Sequence, residues 1–354
     1  MKFYIILGNG FTIDFINHFS QIDKNIFNKI DVKNLFRLGD QVNIPTENRK
    51  GLLSYRSCPA LWMLGARPSN TDQEATTLIE EVITCANMFS DFIGTKTDDA
   101  KLKLKESIKD KIYLQAYSEL VSYLIRLFSH YNEAISDTDL EEFINASNWG
   151  WITFFKALKE NNHEATFITY NYDIWLERIF KLLNIEFSIH GFNINPKTIN
   201  IIKPHGSISF TTKNEHYPYT FVNSNIFEEA SFEQLRLSYD NLTNNVKGAI
   251  IPPAGDSARL QSAWSNLLRK QAQEQAKTIS PSDEVILCGM SYWHVDRREL
   301  DSILTSLPQD TNFTFINPPP PRELNAVLVT MFKQYTVYSS AKNIGDIIHG
   351  RHLR

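Results

Sequence analysis

The stretch Phe167-Ile168-Thr169-Tyr170-Asn171-Tyr172-Asp173-Ile174-Trp175-Leu176-Glu177 decides the fold. A short apolar, β-branched run from Ala165 to Thr169 breaks at Tyr170. Ile174, Trp175, Ile179, Leu182 and Leu183 then recur at helical spacing, with Glu177, Arg178 and Lys181 between them. That pattern reads as a buried strand, a turn and a helix. Ligands of open α/β sheets bind outside the carboxyl ends of the strands, so Asn171 and Asp173 stand where a site is expected. Asp173 reads equally well as a helix cap, because a carboxylate satisfies free N–H groups at a helix start.

Towards the N-terminus, Lys2 to Leu7 is almost wholly apolar, as in a central strand covered on both faces. Gly8-Asn9-Gly10 turns it into Phe11 to Phe19, which has helical spacing. A strand, a glycine turn and a helix N-terminus make a seat for phosphate, since the backbone approaches closely and its N–H groups favour an anion. The third glycine of the dinucleotide fingerprint is missing, and a purely steric role for these glycines accounts for the turn as well. Residues 20 to 70 are irregular and punctuated by Pro45, Gly51, Pro59 and Pro68. Helical patterns cover Thr71 to Phe92, Ile112 to Tyr131, Asp137 to Asn145 and Trp149 to Lys159, with a charge-dense solvated segment at Thr95 to Lys111. Residues of about 70–160 are thus a helical block between the first and second strands.

Towards the C-terminus, extended runs are expected at Ile185 to Ile189, Ile199 to Pro204, Ile208 to Thr211, Tyr217 to Val222, Ala249 to Ile251, Glu284 to Cys288, Phe313 to Asn317 and Tyr335 to Ser339. Helices are expected at Ile226 to Asn245, Ala258 to Ala276, Asp296 to Leu304 and Leu324 to Phe332. The alternation predicts an α/β fold: one Rossmann-like domain over residues 1–354, with a mostly parallel sheet, helices on both faces and the inserted helical block. Hydrophobic residues make up 42% and charged residues 21%, enough for a sizeable core. A net charge of −4 excludes global attraction to nucleic acid or to an anionic membrane. No stretch is long enough to span a bilayer, and the short N-terminal apolar run stops at Gly8 without a cleavage site. Cys58, Cys85 and Cys288 fit neither a disulfide framework nor a zinc spacing, so a reducing, cytoplasmic setting is expected.

Four strand ends therefore carry residues capable of chemistry: Gly8-Asn9-Gly10, Asn171-Tyr172-Asp173, Gly289-Met290-Ser291 and Asn317. His205 lies at a break between two extended runs. In order and in rough spacing the set resembles the sirtuin family, through Thr169-x-Asn171-x-Asp173, His205-Gly206, Gly289-x-Ser291 and the late Asn317. The first turn, Gly8-Asn9-Gly10-Phe11, resembles the variant of bacterial sirtuin-like and abortive-infection proteins. Protein-deacetylating sirtuins carry a four-cysteine zinc module after the histidine, whereas only Cys288 follows it here. The resemblance therefore implies a zinc-free, NAD+-consuming type of anti-phage defence and no metal.

What the resemblance implies is an NAD+ glycohydrolase that yields ADP-ribose and nicotinamide, with NAD+ as substrate. Asn171, His205 and Asp173 would be catalytic. Gly8, Asn9, Gly10, Phe11, Thr169, Gly289, Ser291 and Asn317 would hold the dinucleotide. An imidazole titrating near neutrality can take a proton from water, and an amide can orient that water or a ribose hydroxyl. Silence before triggering implies control by homo-oligomerisation or by a separate sensor or ATPase partner, with the helical block as interface. No membrane partner and no direct nucleic-acid contact are expected. The alternatives are a non-catalytic module sensing NAD+ or ADP-ribose, and a sirtuin-like deacylase or ADP-ribosyltransferase.

Overall fold

The computed structural model describes residues 1–44, 47, 49–97, 111–193, 197–212, 232–244, 248–252, 263–291, 294–342 and 344–349. Its strands are β1 (Lys2–Leu7), β2 (Glu164–Thr169), β3 (Phe187–Ile189), β4 (Ile199–Ile202), β5 (Gly206–Thr212), β6 (Leu235–Leu237), β7 (Gly248–Ile250), β8 (Glu284–Cys288), β9 (Asn312–Ile316) and β10 (Gln334–Tyr338). Its α-helices are α1 (Asn9–Phe19), α2 (Pro59–Met63), α3 (Asp72–Gly94), α4 (Ile112–Glu133), α5 (Asp137–Ala146), α6 (Gly150–Glu160), α7 (Trp175–Leu182), α8 (Ala263–Ala276), α9 (His294–Leu304) and α10 (Arg322–Met331).

Seven strands form one sheet in the order β10-β9-β8-β1-β2-β4-β3, with every neighbouring pair parallel. Phe3 to Leu7 and all of β8 are buried, as the unbroken apolar run of the first strand requires for a sheet covered on both faces. From β1 the chain first builds the β2, β4 and β3 side, then returns to lay β8, β9 and β10 on the other. The reversal falls between β1 and β8, which makes the gap beyond their carboxyl ends the topological switch point. Register sets the rest. Leu7 pairs with Thr169 and with Cys288, and Cys288 pairs with Ile316, so Gly8, Tyr170, Gly289 and Asn317 all leave the sheet at one level.

The helical block lies where the sequence puts it. α3 opens with a reciprocal cap: Thr71 Oγ1 accepts from Glu74 N, and the Glu74 carboxylate accepts from Thr71 N at 2.8 Å. α4 packs against α2 and α3 and reaches β5 and β7. Phe11 and Phe15 of α1 pack on Trp149, Trp151 and Trp175, whose rings are fully buried. Each such side chain contributes about 1.5–3 kcal/mol by leaving water. Among the described residues no helix is long and apolar enough to cross a membrane.

Two features differ from the sequence reading. β5, β6 and β7 form a separate antiparallel sheet in the order β6-β5-β7 instead of extending the parallel one. The helix expected over Ile226 to Asn245 is replaced, within 232–244, by two short 3-10 turns flanking β6. Arg236 and Leu237 are drawn into the ladder of β5, and this tertiary pairing overrides local helical spacing. The strand expected at Tyr217 to Val222, residues 226–231 of that helix, residues 258–262 of the next one and most of the charge-dense segment at 95–111 fall outside the described residues.

Candidate active site

At the switch point the turns after β1 and β8 interlock through glycine. Gly8 N donates to Cys288 O at 2.9 Å, and Gly10 N donates to Gly289 O at 3.0 Å. A Cβ on Gly10 would lie 2.4 Å from Gly289 Cα, and one on Gly289, whose φ is +68°, would lie 2.5 Å from Gly10 Cα. Only glycine fits either position. The same contacts change the expected phosphate seat. The Gly10 amide is engaged by Gly289, and the Phe11 amide donates to Gly8 O, so these two first-turn donors are already satisfied by protein.

The loops at this end of the sheet enclose a cavity of about 490 Å³. Gly8, Asn9, Gly10, Asn171, Asp173, His205, Gly289, Ser291 and Asn317 all line it. Segments from both ends of the chain thus meet in one space. Thr169 and Phe11 do not line it: Thr169 Oγ1 accepts from Asn171 N, and Phe11 is buried between Trp149 and Trp151. α3 adds Ala75 and Ile79 to the wall and α4 adds Phe128, so the helical block completes the cavity. Asn317 is held by its amide on Met290 O at 2.9 Å, which ties the end of β9 to the turn after β8.

Asn171 has a fixed orientation. Its Nδ2 donates to Gly8 O and to Thr12 Oγ1, both at 3.0 Å. A backbone carbonyl can only accept, so Gly8 O identifies the nitrogen, and both amide hydrogens are engaged. What Asn171 offers a ligand is its Oδ1, an acceptor. Thr12 Oγ1 in turn donates to Asp173 Oδ2 at 2.7 Å. The other carboxylate oxygen of Asp173 accepts from Trp175 N at 3.4 Å, a weak version of the capping role that its sequence position suggested. Burial raises the Asp173 pKa, while the charge of Lys203 and the Thr12 bond oppose that rise. Asp173 is therefore the base of a buried chain, Asp173–Thr12–Asn171, that holds the amide in place.

Lys203, two residues before His205, is buried with Glu177 at 2.7 Å and also donates to Asp173 O at 2.6 Å. His205 follows at the corner between β4 and β5. Gly206 makes this corner possible: its φ is +81°, and a Cβ there would meet Ala249 O at 1.8 Å. The His205 ring meets Tyr170 edge-on at 4.8 Å, and its Nε2 faces both oxygens of Glu299, at 3.2 and 3.3 Å.

Sequence reading did not find Thr12 or Glu299. Thr12 lies in the first turn of a helix that follows a strand, where a buried hydroxyl is a usable signal. Glu299 lies 94 residues beyond His205 and gives no local signal. Among the described residues, no three His, Cys, Asp or Glu side chains are gathered so that they could hold a metal ion. The chain matches no family model and no curated protein. Fold and site define an α/β protein with a Rossmann-like parallel sheet and a half-polar cavity at its switch point.

Proposed function

We propose that the protein is an NAD+ glycohydrolase, converting NAD+ and water to ADP-ribose and nicotinamide. The observation that carries this reading is the convergence of Asn171, His205, the two glycine turns and Asn317 on one cavity at the β1/β8 switch point. Such a crevice is where α/β sheets of this topology take nucleotides. In this reading Asn171 Oδ1 accepts a hydrogen bond from the attacking water and fixes its position over C1′ of the nicotinamide ribose. The glycosidic C–N bond breaks, its electron pair returns to the pyridinium nitrogen, and nicotinamide leaves neutral. Water supplies the new C–O bond, and its proton passes to His205. The apolar side of the cavity, with Ile79 and Phe128, suits the flat aromatic ring.

The proposal extends to context. Such an activity suits a cytoplasmic abortive-infection effector that depletes NAD+ in an infected cell. It would be held silent by self-association or by a separate sensor or ATPase partner. Exposed Met88 and Phe92 on α3 support the helical block as that contact.

The test is nicotinamide release from NAD+ by the purified protein, without an acyl peptide, across protein concentrations. Release is expected, and His205→Ala should reduce it by roughly 10²- to 10⁴-fold, the usual contribution of a general base. Asn171→Ala should abolish it by freeing the water. Binding of NAD+ without release at any concentration selects a sensing module instead. Turnover that requires an acyl-lysine peptide selects a deacylase.

A further inference from the structure

We propose that Glu299 is the positioning residue for His205, fixing the ring as its Nε2–H tautomer so that the basic lone pair is on Nδ1. The inference rests on the reading of His205 as the base of the site. Three elements meet here. His205 ends the β4–β5 corner, Glu299 comes from the middle of α9, and Arg269 comes from α8, which packs on α9. His205 and Glu299 are only 3% and 6% exposed, so this contact is made out of bulk water. Arg269 Nε lies 2.8 Å from Glu299 Oε1, an ion pair by distance although its N–H is not aligned for a hydrogen bond.

The chemistry follows from the acceptor. An ionised carboxylate only accepts, so the imidazole nitrogen facing it must carry hydrogen. In a neutral ring the other nitrogen then holds the lone pair. The carboxylate also stabilises the imidazolium that forms once a proton is taken, which is the service a third group renders to a catalytic base. Arg269 places a positive charge against Glu299 Oε1. The His–Glu separations of 3.2 and 3.3 Å are longer than tight charge-assisted bonds, as is common before a substrate closes a site. Among the described residues, the other charged groups near this corner have partners elsewhere: Asp173 faces Thr12 and Trp175 N, and Lys203 faces Glu177. Tyr170 meets the ring in a T-shaped contact, and among the described residues the charge set against His205 Nε2 is that of Glu299, itself paired with Arg269.

The experiment is ¹⁵N-histidine NMR on the full chain, with the His205 signal assigned among nine histidines by its loss in His205→Gln. In the wild type above its titration midpoint, His205 should show the Nε2–H tautomer. In Glu299→Gln, which keeps an acceptor and removes the charge, the midpoint should fall by about one unit or more. The alkaline shift of the wild type needs no variant to fold, so the tautomer alone can overturn the inference: a Nδ1–H ring refutes it. A midpoint unmoved by Glu299→Gln also refutes it. Nicotinamide release is measured on the same samples. A shifted midpoint with no release from the wild type leaves the Glu299–His205 pairing standing and removes the hydrolase reading. Release with an unmoved midpoint does the reverse.

Discussion

Replacing Thr12 by Val removes one hydroxyl and almost no volume from a site that is 1% exposed. Two hydrogen bonds go with it, the 3.0 Å bond from Asn171 Nδ2 and the 2.7 Å bond to Asp173 Oδ2. Asn171 and Asp173 are both buried, so a carboxylate oxygen and an amide hydrogen each lose their protein partner. An orphaned buried polar group costs about 1–3 kcal/mol, and more when charged, so the expected loss is roughly 2–4 kcal/mol. With an unfolding entropy of about 2.1 cal/mol/K per residue over the whole chain, the midpoint of thermal unfolding should drop roughly 3–5 °C.

The pH dependence carries a second signature. The folded-state pKa of Asp173 is raised by burial, so ionised Asp173 opposes folding, and stability returns as pH falls through the folded value towards the unfolded one. Losing the Thr12 bond removes something that favours the ionised form. The gap between Thr12→Val and wild type should therefore narrow as Asp173 is protonated. Thermal unfolding followed by circular dichroism at a series of pH values reads both effects, with Thr12→Ser as the control that keeps the hydroxyl. A variant that melts within about 1 °C of wild type at neutral pH, with Asn171 function intact, would refute the Asp173–Thr12–Asn171 chain.

Two further outcomes are expected. Glu284, buried where β8 begins and accepting from Thr314 Oγ1 at 2.8 Å, has its pKa pushed by burial up to about 8. Its folded pKa exceeds its unfolded one, so the fold binds more protons and loses stability as pH rises from about 4.5 to 8. Glu284→Gln should gain on the wild type by up to a few kcal/mol across that window, measured by urea unfolding, and parallel curves would refute the assignment. Lys33, exposed at the cavity rim, is paired with no other side chain among the described residues. With the Gly10 and Phe11 amides engaged, Lys33 is, among the described residues that line the cavity, the cation that could meet a diphosphate. Lys33→Ala should weaken dinucleotide binding by about 1 kcal/mol, roughly fivefold, and less so in high salt; calorimetry at two ionic strengths checks this.

The sequence made the parallel sheet legible because Lys2 to Leu7 is a run too apolar for a one-sided sheet and strands alternate with helices along the chain. The helical block was legible because apolar residues recur at helical spacing over Thr71 to Phe92 and Ile112 to Tyr131. Strand ends then located the cavity, since position at a carboxyl edge is a property of topology and not of contact. Two things were not legible. The 226–245 stretch has helical spacing and also, at Leu235, Leu237 and Tyr239, a period of two, and only the presence of β5 decides between them. The partners of Asn171 and His205 are long-range: Thr12 reaches Asp173 from 161 residues away, and no local pattern marks that pairing. Phe11, expected at the ligand, faces the aromatic core instead, because the helix it opens turns that position away from the strand-end crevice.

The central place of β1 has a consequence for synthesis. The first strand made cannot find either sheet neighbour until β2 and then β8 have left the ribosome, and the glycine contact that closes the site waits for residue 289. Contacts this distant in sequence make folding slow and leave early apolar surface uncovered. A chain stopped before β8 lacks Gly289, Met290, Ser291 and Asn317 of the cavity lining and the Glu299 that faces His205, so it cannot complete the site.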